Sequence, residues 1–197
     1  MISFDHPHIQ LFYQYINSFA PVSQASFEEF LPLISIKKVQ KNEMIIFRGQ
    51  TARKIYFVCK GILVSQWEDD EANVYVKNFF IEGSLAGSTV SMLTNTPSGF
   101  GIECVADGII LEMNYQRYKE VIYGHEDLKN YYISNLEKNW IIENERRQIS
   151  FAAESATERY ISFLNRYPKL PQRVPQWLIA SYLGITPTQL SRIRKSL

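Results

Sequence analysis

From Ile36 to Met113 the chain is built of short apolar runs separated by polar or glycine-containing breaks, whereas on either side apolar residues return every three or four positions. The first pattern predicts strands and the second helices. Pro7 to Ser18 and Ser26 to Leu33 read as short opening helices. Ile36 to Phe47 reads as strand, turn, strand, with Lys41-Asn42-Glu43 at the turn, and Arg48-Gly49-Gln50 breaks the pattern. Three β-rich runs follow, Ile55 to Cys59, Gly61 to Trp67 and Val74 to Phe80, the last two joined by the polar tip Glu68-Asp69-Asp70-Glu71-Ala72-Asn73, which suits a solvated loop. A stretch rich in Gly, Ser, Thr and Pro, Glu82 to Gly101, precedes the runs Ile102 to Ala106 and Ile109 to Met113, and Asp107-Gly108 between them predicts a hairpin turn. Short strands at this spacing predict a small antiparallel barrel or jelly roll.

The pattern then turns helical. Tyr115 to Tyr123 predicts a short helix, and Glu126 to Phe151 a long one of about 26 residues, or about 39 Å at 1.5 Å per residue. Leu128, Tyr132, Asn135, Asn139, Ile142, Arg146 and Ile149 recur at spacings of three and four, with Leu136 and Trp140 on an adjacent stripe. The stripe is too polar for a plain coiled coil, yet so long a helix exceeds what one small barrel covers. A dimer seam through Leu128, Tyr132, Asn135, Asn139 and Ile142 is the expectation, with a helix packed wholly within its own protomer as the alternative. Ala156 to Tyr167 adds a helix, and Pro168 to Pro175 connects it to the last segment.

That segment, PQWLIASYLGITPTQLSRIRKSL from Pro175 to Leu197, predicts a helix, a glycine turn and a second helix. Trp177, Leu178, Tyr182 and Leu183, with the small Ala180 among them, give Gln176 to Leu183 a buried face. Gly184 supplies the turn, Ile185 plugs the corner, Thr186 is a good N-cap, and Pro187 sits at the first helical position, where its missing N–H costs nothing. The second helix, Pro187 to Lys195, turns Leu190 and Ile193 inward and Thr188, Gln189, Ser191, Arg192, Arg194 and Lys195 outward. Groups of these types read base edges and hold phosphates, so double-stranded DNA is the expected partner.

The formal net charge of +1 conceals a polarised chain. Arg159 to Leu197 contains Arg159, Arg166, Lys169, Arg173, Arg192, Arg194 and Lys195 and no Asp or Glu, while the remaining 158 residues hold 14 basic and 20 acidic groups. A basic end on a near-neutral chain fits a DNA-contacting module joined to a domain with another task. On charge alone, an ordinary helical hairpin with a basic solvated face is the alternative.

With 197 residues, 46% of them hydrophobic, the chain can bury one good core and a smaller one. No run of about 18 apolar residues exists, and MISFDHPHIQ lacks the basic-then-apolar order of a secretory signal, so a cytoplasmic protein without a membrane partner is expected. Cys59 and Cys104 lie in apolar runs, as reduced core residues do, and are too few for a four-cysteine cluster. A metal-dependent enzyme on a cupin-type barrel needs clustered His and carboxylate ligands; His6, His8 and His125 all lie outside the strands, so neither enzyme activity nor a metal is expected.

Barrel, long helix, then helix-turn-helix is an order that resembles the Crp/Fnr family of bacterial transcription regulators. Phe47-Arg48-Gly49-Gln50 followed by Ile55-Tyr56-Phe57-Val58-Cys59-Lys60-Gly61 looks like the family's glycine-punctuated early strands, and the tail RYISFLNRYPKLPQRVPQWLIASYLGITPTQLSRIRKSL looks like the variant common in Bacteroidetes. The resemblance covers about residues 20 to 197. It implies an α+β fold: an antiparallel jelly roll or barrel of the cyclic-nucleotide-binding type over residues 1–125, a long dimerisation helix over 126–152 and an all-α helix-turn-helix domain over 153–197. A homodimer on a pseudo-palindromic operator is implied, with RNA polymerase as a candidate further partner.

Relatives that bind the cyclic nucleotide carry a Gly-Glu pair and, after a short helix, an Arg followed by Ser or Thr. Here the first pair matches Gly83-Ser84 and the second falls at Ser98-Gly99, so neither charged ligand is present. Serine can hydrogen-bond a phosphate but cannot supply arginine's bidentate contact. Cyclic AMP is therefore not expected to bind in the usual way, and no cofactor is expected. Gly83, Ser84, Leu85, Ser98 and Gly99 outline a candidate pocket for another small-molecule effector, or a structural loop. By resemblance, Thr188, Gln189 and Arg192 read bases, Arg192 suiting guanine and Gln189 adenine. Arg173, Thr186, Ser191, Arg194 and Lys195 suit phosphates, although cations in a last helical turn also favour the helix dipole. A sensor or scaffold dimer that has lost DNA binding is the alternative function.

Overall fold

The computed structural model describes residues 2–71 and 73–197; Ala72, in the expected polar tip, lies outside the described residues. Helix α1 (Pro7–Asn17) starts at Pro7, whose fixed φ suits the first turn, and buries Ile9, Phe12 and Ile16. Helix α2 (Gln24–Glu28) is capped by the Ser23 hydroxyl, and a 3₁₀ turn follows at Leu31–Leu33. The strands are β1 (Ser35–Val39), β2 (Met44–Ile46), β3 (Lys54–Glu68), β4 (Val74–Phe80), β5 (Leu85–Ala86) and β6 (Gly101–Asn114), with helix α3 (Thr89–Thr94) between β5 and β6.

Two expectations about the sheet are corrected. Ile55–Cys59 and Gly61–Trp67 are one strand, β3, and the runs on either side of Asp107-Gly108 are one strand, β6, so Asp-Gly is not a hairpin turn here. The glycines serve a close crossing of the two long strands instead. Gly61 has φ +98°, and a Cβ on Gly108 would lie 2.2 Å from the Lys60 carbonyl oxygen. The β3–β6 register slips on both sides of Lys60, as at a bulge. Hydrogen bonding runs β1-β6-β3-β4, with β2 also on β6 and β5 on β3, and the two edges do not meet. The expected barrel is therefore an open antiparallel sheet. β1 and β2 each pair with β6, not with each other, despite the turn at Asn42 (φ 67°) between them.

One core joins α1 and α2 to the sheet, α4 (Tyr115–Gly124) and the start of α5 (Glu126–Leu136). Phe12, Phe27, Phe30 and Phe57 fill it, Phe30 stacks on Tyr118 with centroids 5.3 Å apart, and the buried Tyr118 and Tyr131 hydroxyls satisfy each other at 2.9 Å. Helix α5 runs into a π-helical turn (Glu137–Ile142) and then α6 (Glu143–Ala153), so the expected long helix is present but carries a π segment at its middle.

Helix α7 (Ala156–Arg166) starts at a Ser155/Glu158 capping box. After a 3₁₀ turn at Leu170–Gln172 come α8 (Gln176–Leu183) and α9 (Pro187–Ser196). These helices pack onto the sheet: Tyr160, Phe163, Leu178, Ile179 and Leu190 share a second core with Ile62, Val64, Val76, Phe79 and Val105. The pairing of strands and helices is an α+β fold, with the helix-turn-helix fixed to the outer face of β4.

Candidate nucleic-acid interface and sensor cavity

The expected turn and cap of the α8–α9 unit form, although Trp177, expected on the buried face of α8, is exposed and Ile179 is buried in its place. Gly184 takes φ +68°, the Ile185 N–H donates to the Ala180 carbonyl at 3.0 Å and the Gly184 N–H to Ser181 at 3.1 Å, which closes α8 as a Schellman turn. The Thr186 hydroxyl accepts the Gln189 N–H at 3.1 Å, and Gln189 Oε1 accepts the Thr186 N–H at 2.9 Å. Leu190 is buried, while Thr188, Ser191, Arg192, Arg194 and Lys195 face solvent.

The capping box changes the expectation for Gln189. A bidentate contact with adenine needs both the amide oxygen and the amide nitrogen. The oxygen already accepts one bond in the cap, so that contact would have to use its second lone pair. Arg173, expected on a phosphate, is instead a bidentate partner of Glu82, with Nη1–Oε2 2.8 Å and Nη2–Oε1 2.5 Å. Glu82 also accepts the Gly61 N–H at 2.9 Å. The Arg173 bonds outweigh partial desolvation and hold the Glu82 carboxyl at about 2. Two further cations of the basic tail are engaged: Arg159 donates to the Leu183 and Glu154 carbonyls, and Arg166 pairs with Glu143. Among the described residues Lys169, Arg192, Arg194 and Lys195 make no ion pair.

The α8–α9 unit is pinned to sheet and helix at several points. Ser181 Oγ accepts the Val76 N–H at 2.9 Å and donates to the Val74 carbonyl at 2.7 Å. A Cβ on Gly184 would meet the Phe151 ring at 3.0 Å, so the end of α6 sits against the turn.

The expected dimer seam divides in two. Leu128 is wholly buried in the protomer's own core, and Asn135 is buried with its amide donating to the Tyr15 hydroxyl at 2.6 Å, so neither is available to a second chain. Tyr132 is half-buried, its hydroxyl 3.4 Å from that of Tyr115. Asn139 and Ile142 are exposed, and so are Ile133, Ile141 and Ile149. The first half of the long helix belongs to the protomer core because α1 and α4 flank it; the second half leaves an apolar face uncovered.

A cavity of about 530 Å³ opens between β4, the π segment and the α7–α8 region. Gly83, Ser84 and Leu85 line it; Ser98 and Gly99 do not, so the expected pocket set is not brought together. Ser98 is buried, its hydroxyl donating to the Phe100 carbonyl at 2.7 Å and paired with the Ser88 hydroxyl at 2.8 Å. Gly83 sits in a turn at φ +78° whose N–H bonds to Val58 at 2.9 Å. Both cysteines are buried, and desolvation pushes each thiol up to about 12, which leaves them unreactive. No group of three or more His, Cys, Asp or Glu suited to a metal occurs among the described residues, and no described helix is long and apolar enough to cross a membrane.

No family model and no curated protein matches this sequence. Solved structures match its fold. FixK2 from Bradyrhizobium japonicum superposes with a TM-score of 0.72 at 15% identity over 84% of each chain. CLP from Xanthomonas campestris, described as a c-di-GMP-responsive global regulator, gives 0.69 at 17% identity over 88% of this chain and 91% of that one. DNR from Pseudomonas aeruginosa gives 0.59 at 18% identity over 100% and 89%. The fold is that of the Crp/Fnr regulators.

Helix α3 follows Gly87, with Ser88 as its N-cap residue, and the Ser88 and Ser98 hydroxyls bond to each other at 2.8 Å.

Proposed function

We propose that this protein is a dimeric, sequence-specific DNA-binding transcription regulator of the Crp/Fnr type, without enzymatic activity, whose sensor does not use the usual cyclic-AMP ligands. The observation that carries the reading is α9: a capped, half-buried helix with Thr188, Ser191, Arg192, Arg194 and Lys195 turned to solvent on a rigidly held turn. Arg192 is the base-reading residue in this reading, because its planar fork matches the O6 and N7 acceptors of guanine. Thr188 is a second base contact; Ser191, Arg194, Lys195 and the Thr186 hydroxyl hold phosphates.

Two copies pair through the apolar face of the second half of the long helix and set two recognition helices about 34 Å apart, one turn of DNA. Proteins of the same fold, the global regulator CLP and the transcriptional regulator DNR among them, support regulation of transcription; RNA polymerase is the further partner this would involve. Selection of genomic fragments by the purified protein tests the reading. A two-fold symmetric motif is expected, and enrichment no better than random DNA would count against it.

One set of observations favours the second reading, a sensor or scaffold dimer without DNA binding. Arg159, Arg166 and Arg173 are spent on protein contacts and Gln189 on a cap. Binding to no DNA at any salt concentration, with the dimer intact, is its signature.

A further inference from the structure

The long helix carries one residue more than a straight α-helix needs. Upstream of the π segment Leu128, Tyr131 and Asn135 are buried against the protomer. In α6 only Glu143, Arg147 and Ser150 are half-buried, while Ile142 and Ile149 are 56% and 58% exposed. At about 100° per residue, an unbroken α-helix would carry the face of Leu128, Tyr131 and Asn135 on to the residues directly before those three, namely Ile142, Arg146 and Ile149. The π turn at Glu137–Ile142 takes up the extra residue and so rotates all of α6 by about 100°. Contacts of the half-buried face hold that register. Glu143 pairs with Arg166, and the Arg147 guanidinium donates to the Lys77 carbonyl and lies 4.6 Å from the Tyr182 ring centroid.

We propose that the π segment is a register switch: α6 has two seatings on the protomer, the one seen here and a straight α-helical one in which Ile142, Arg146 and Ile149 take the places of Glu143, Arg147 and Ser150. The sequence suits both. Arg146 and Arg147 are neighbours, so either register sets a guanidinium opposite the Lys77 carbonyl. The straight register gives up the Glu143–Arg166 pair and the π turn, and takes two isoleucines out of water. The π register keeps the pair and turns those isoleucines outward, where a second copy covers them in the dimer proposed above. Close-packed helices cannot exchange faces without room; the cavity of about 530 Å³ beside the π segment, lined by Asn139, Trp140, Glu143 and Arg147, supplies it. Because Arg166 ends α7 and Tyr182 lies on α8, the exchange also changes what holds those helices to α6. The consequence for pairing rests on the dimer reading; the two seatings do not.

The test reads distances within one chain. Nitroxide labels on Glu120→Cys in α4 and Gln148→Cys in α6, both exposed positions, are measured by double electron–electron resonance in the full chain, diluted with unlabelled protein so that only intrachain pairs contribute. The native cysteines are buried and stay unlabelled. Residue 148 lies off the buried face in either register, in directions about 100° apart. Wild type should show one main distance, and Glu143→Gln combined with Arg147→Gln should raise the share of a second at least about tenfold, as expected from loss of two charge-assisted contacts. Deletion of Lys138, an exposed residue of the π segment, removes the surplus residue. That protein should fold, keep the first distance and show no second one even with both substitutions. A single distance in the doubly substituted full chain overturns the switch. So does a second distance that survives the deletion, which would make the motion a hinge, and so does a deletion protein that fails to fold, since the residue is then not surplus. Two registers in a protein that is monomeric at every concentration would leave the switch standing and sink the dimer reading; a DNA-binding dimer with one register throughout would do the reverse.

Discussion

Gly184 and Glu82 show two kinds of constraint at the scale of single residues. Gly184 needs φ +68° and has the Phe151 ring at Cβ distance. Gly184→Ala should lower stability by about 1–2 kcal/mol from the left-handed backbone alone, measured as a shift of the urea midpoint with unchanged slope. Glu82 is held at about 2 by Arg173, below the ordinary 4.5. A lowered carboxyl stabilises the fold fully above its unfolded value and loses that contribution as pH falls through the folded one. Wild type should therefore melt higher than Glu82→Gln at pH 6, with the gap closing between about pH 4.5 and pH 2; a gap that is independent of pH would show that the pair does not contribute through charge. Gly184, Thr186 and Pro187 were legible in the sequence because caps and turns are local chemistry. The Glu82–Arg173 pair was not, because its partners are 91 residues apart and only the docked fold joins them.

The elements themselves divide in the same way. Helices α1, α4, α7, α8 and α9 lie where apolar spacing and caps put them, since each signal sits inside the element. Strand boundaries did not follow, because Asp107-Gly108 has the composition of a turn while the fold uses the glycine for a β3–β6 crossing with no room for a Cβ. Gly108→Ala should destabilise by at least about 1–3 kcal/mol, as overpacking does; a thermal melt unchanged from wild type would contradict the crossing. The long helix was legible in extent, but its division into a core half and an exposed half was not. Leu128 and Ile142 look alike as sequence, and only the placement of α1 and α4 against α5 covers one and leaves the other open.

At the scale of the molecule, two cores share one sheet, and in the proposed dimer the apolar face left open on α6 and the π segment is where a second copy fits. Ile142→Asp should shift the protein from dimer to monomer in sedimentation and weaken specific DNA binding with it, since half-sites are read in pairs. Unchanged dimerisation would move the interface elsewhere. Of the candidate interface, helix α9 and the exposure of Arg192 were legible as a pattern; the internal bonds of Arg173 and Gln189 were not.

The most direct test of the central claim is the affinity of wild type and Arg192→Ala for the best selected fragment and for scrambled DNA at the same salt concentration. The account predicts a loss of about 1–3 kcal/mol per half-site on the selected fragment and little change on scrambled DNA. An equal loss on both would make Arg192 a phosphate contact, and no loss on either would contradict the assignment of α9 as the helix that reads the operator.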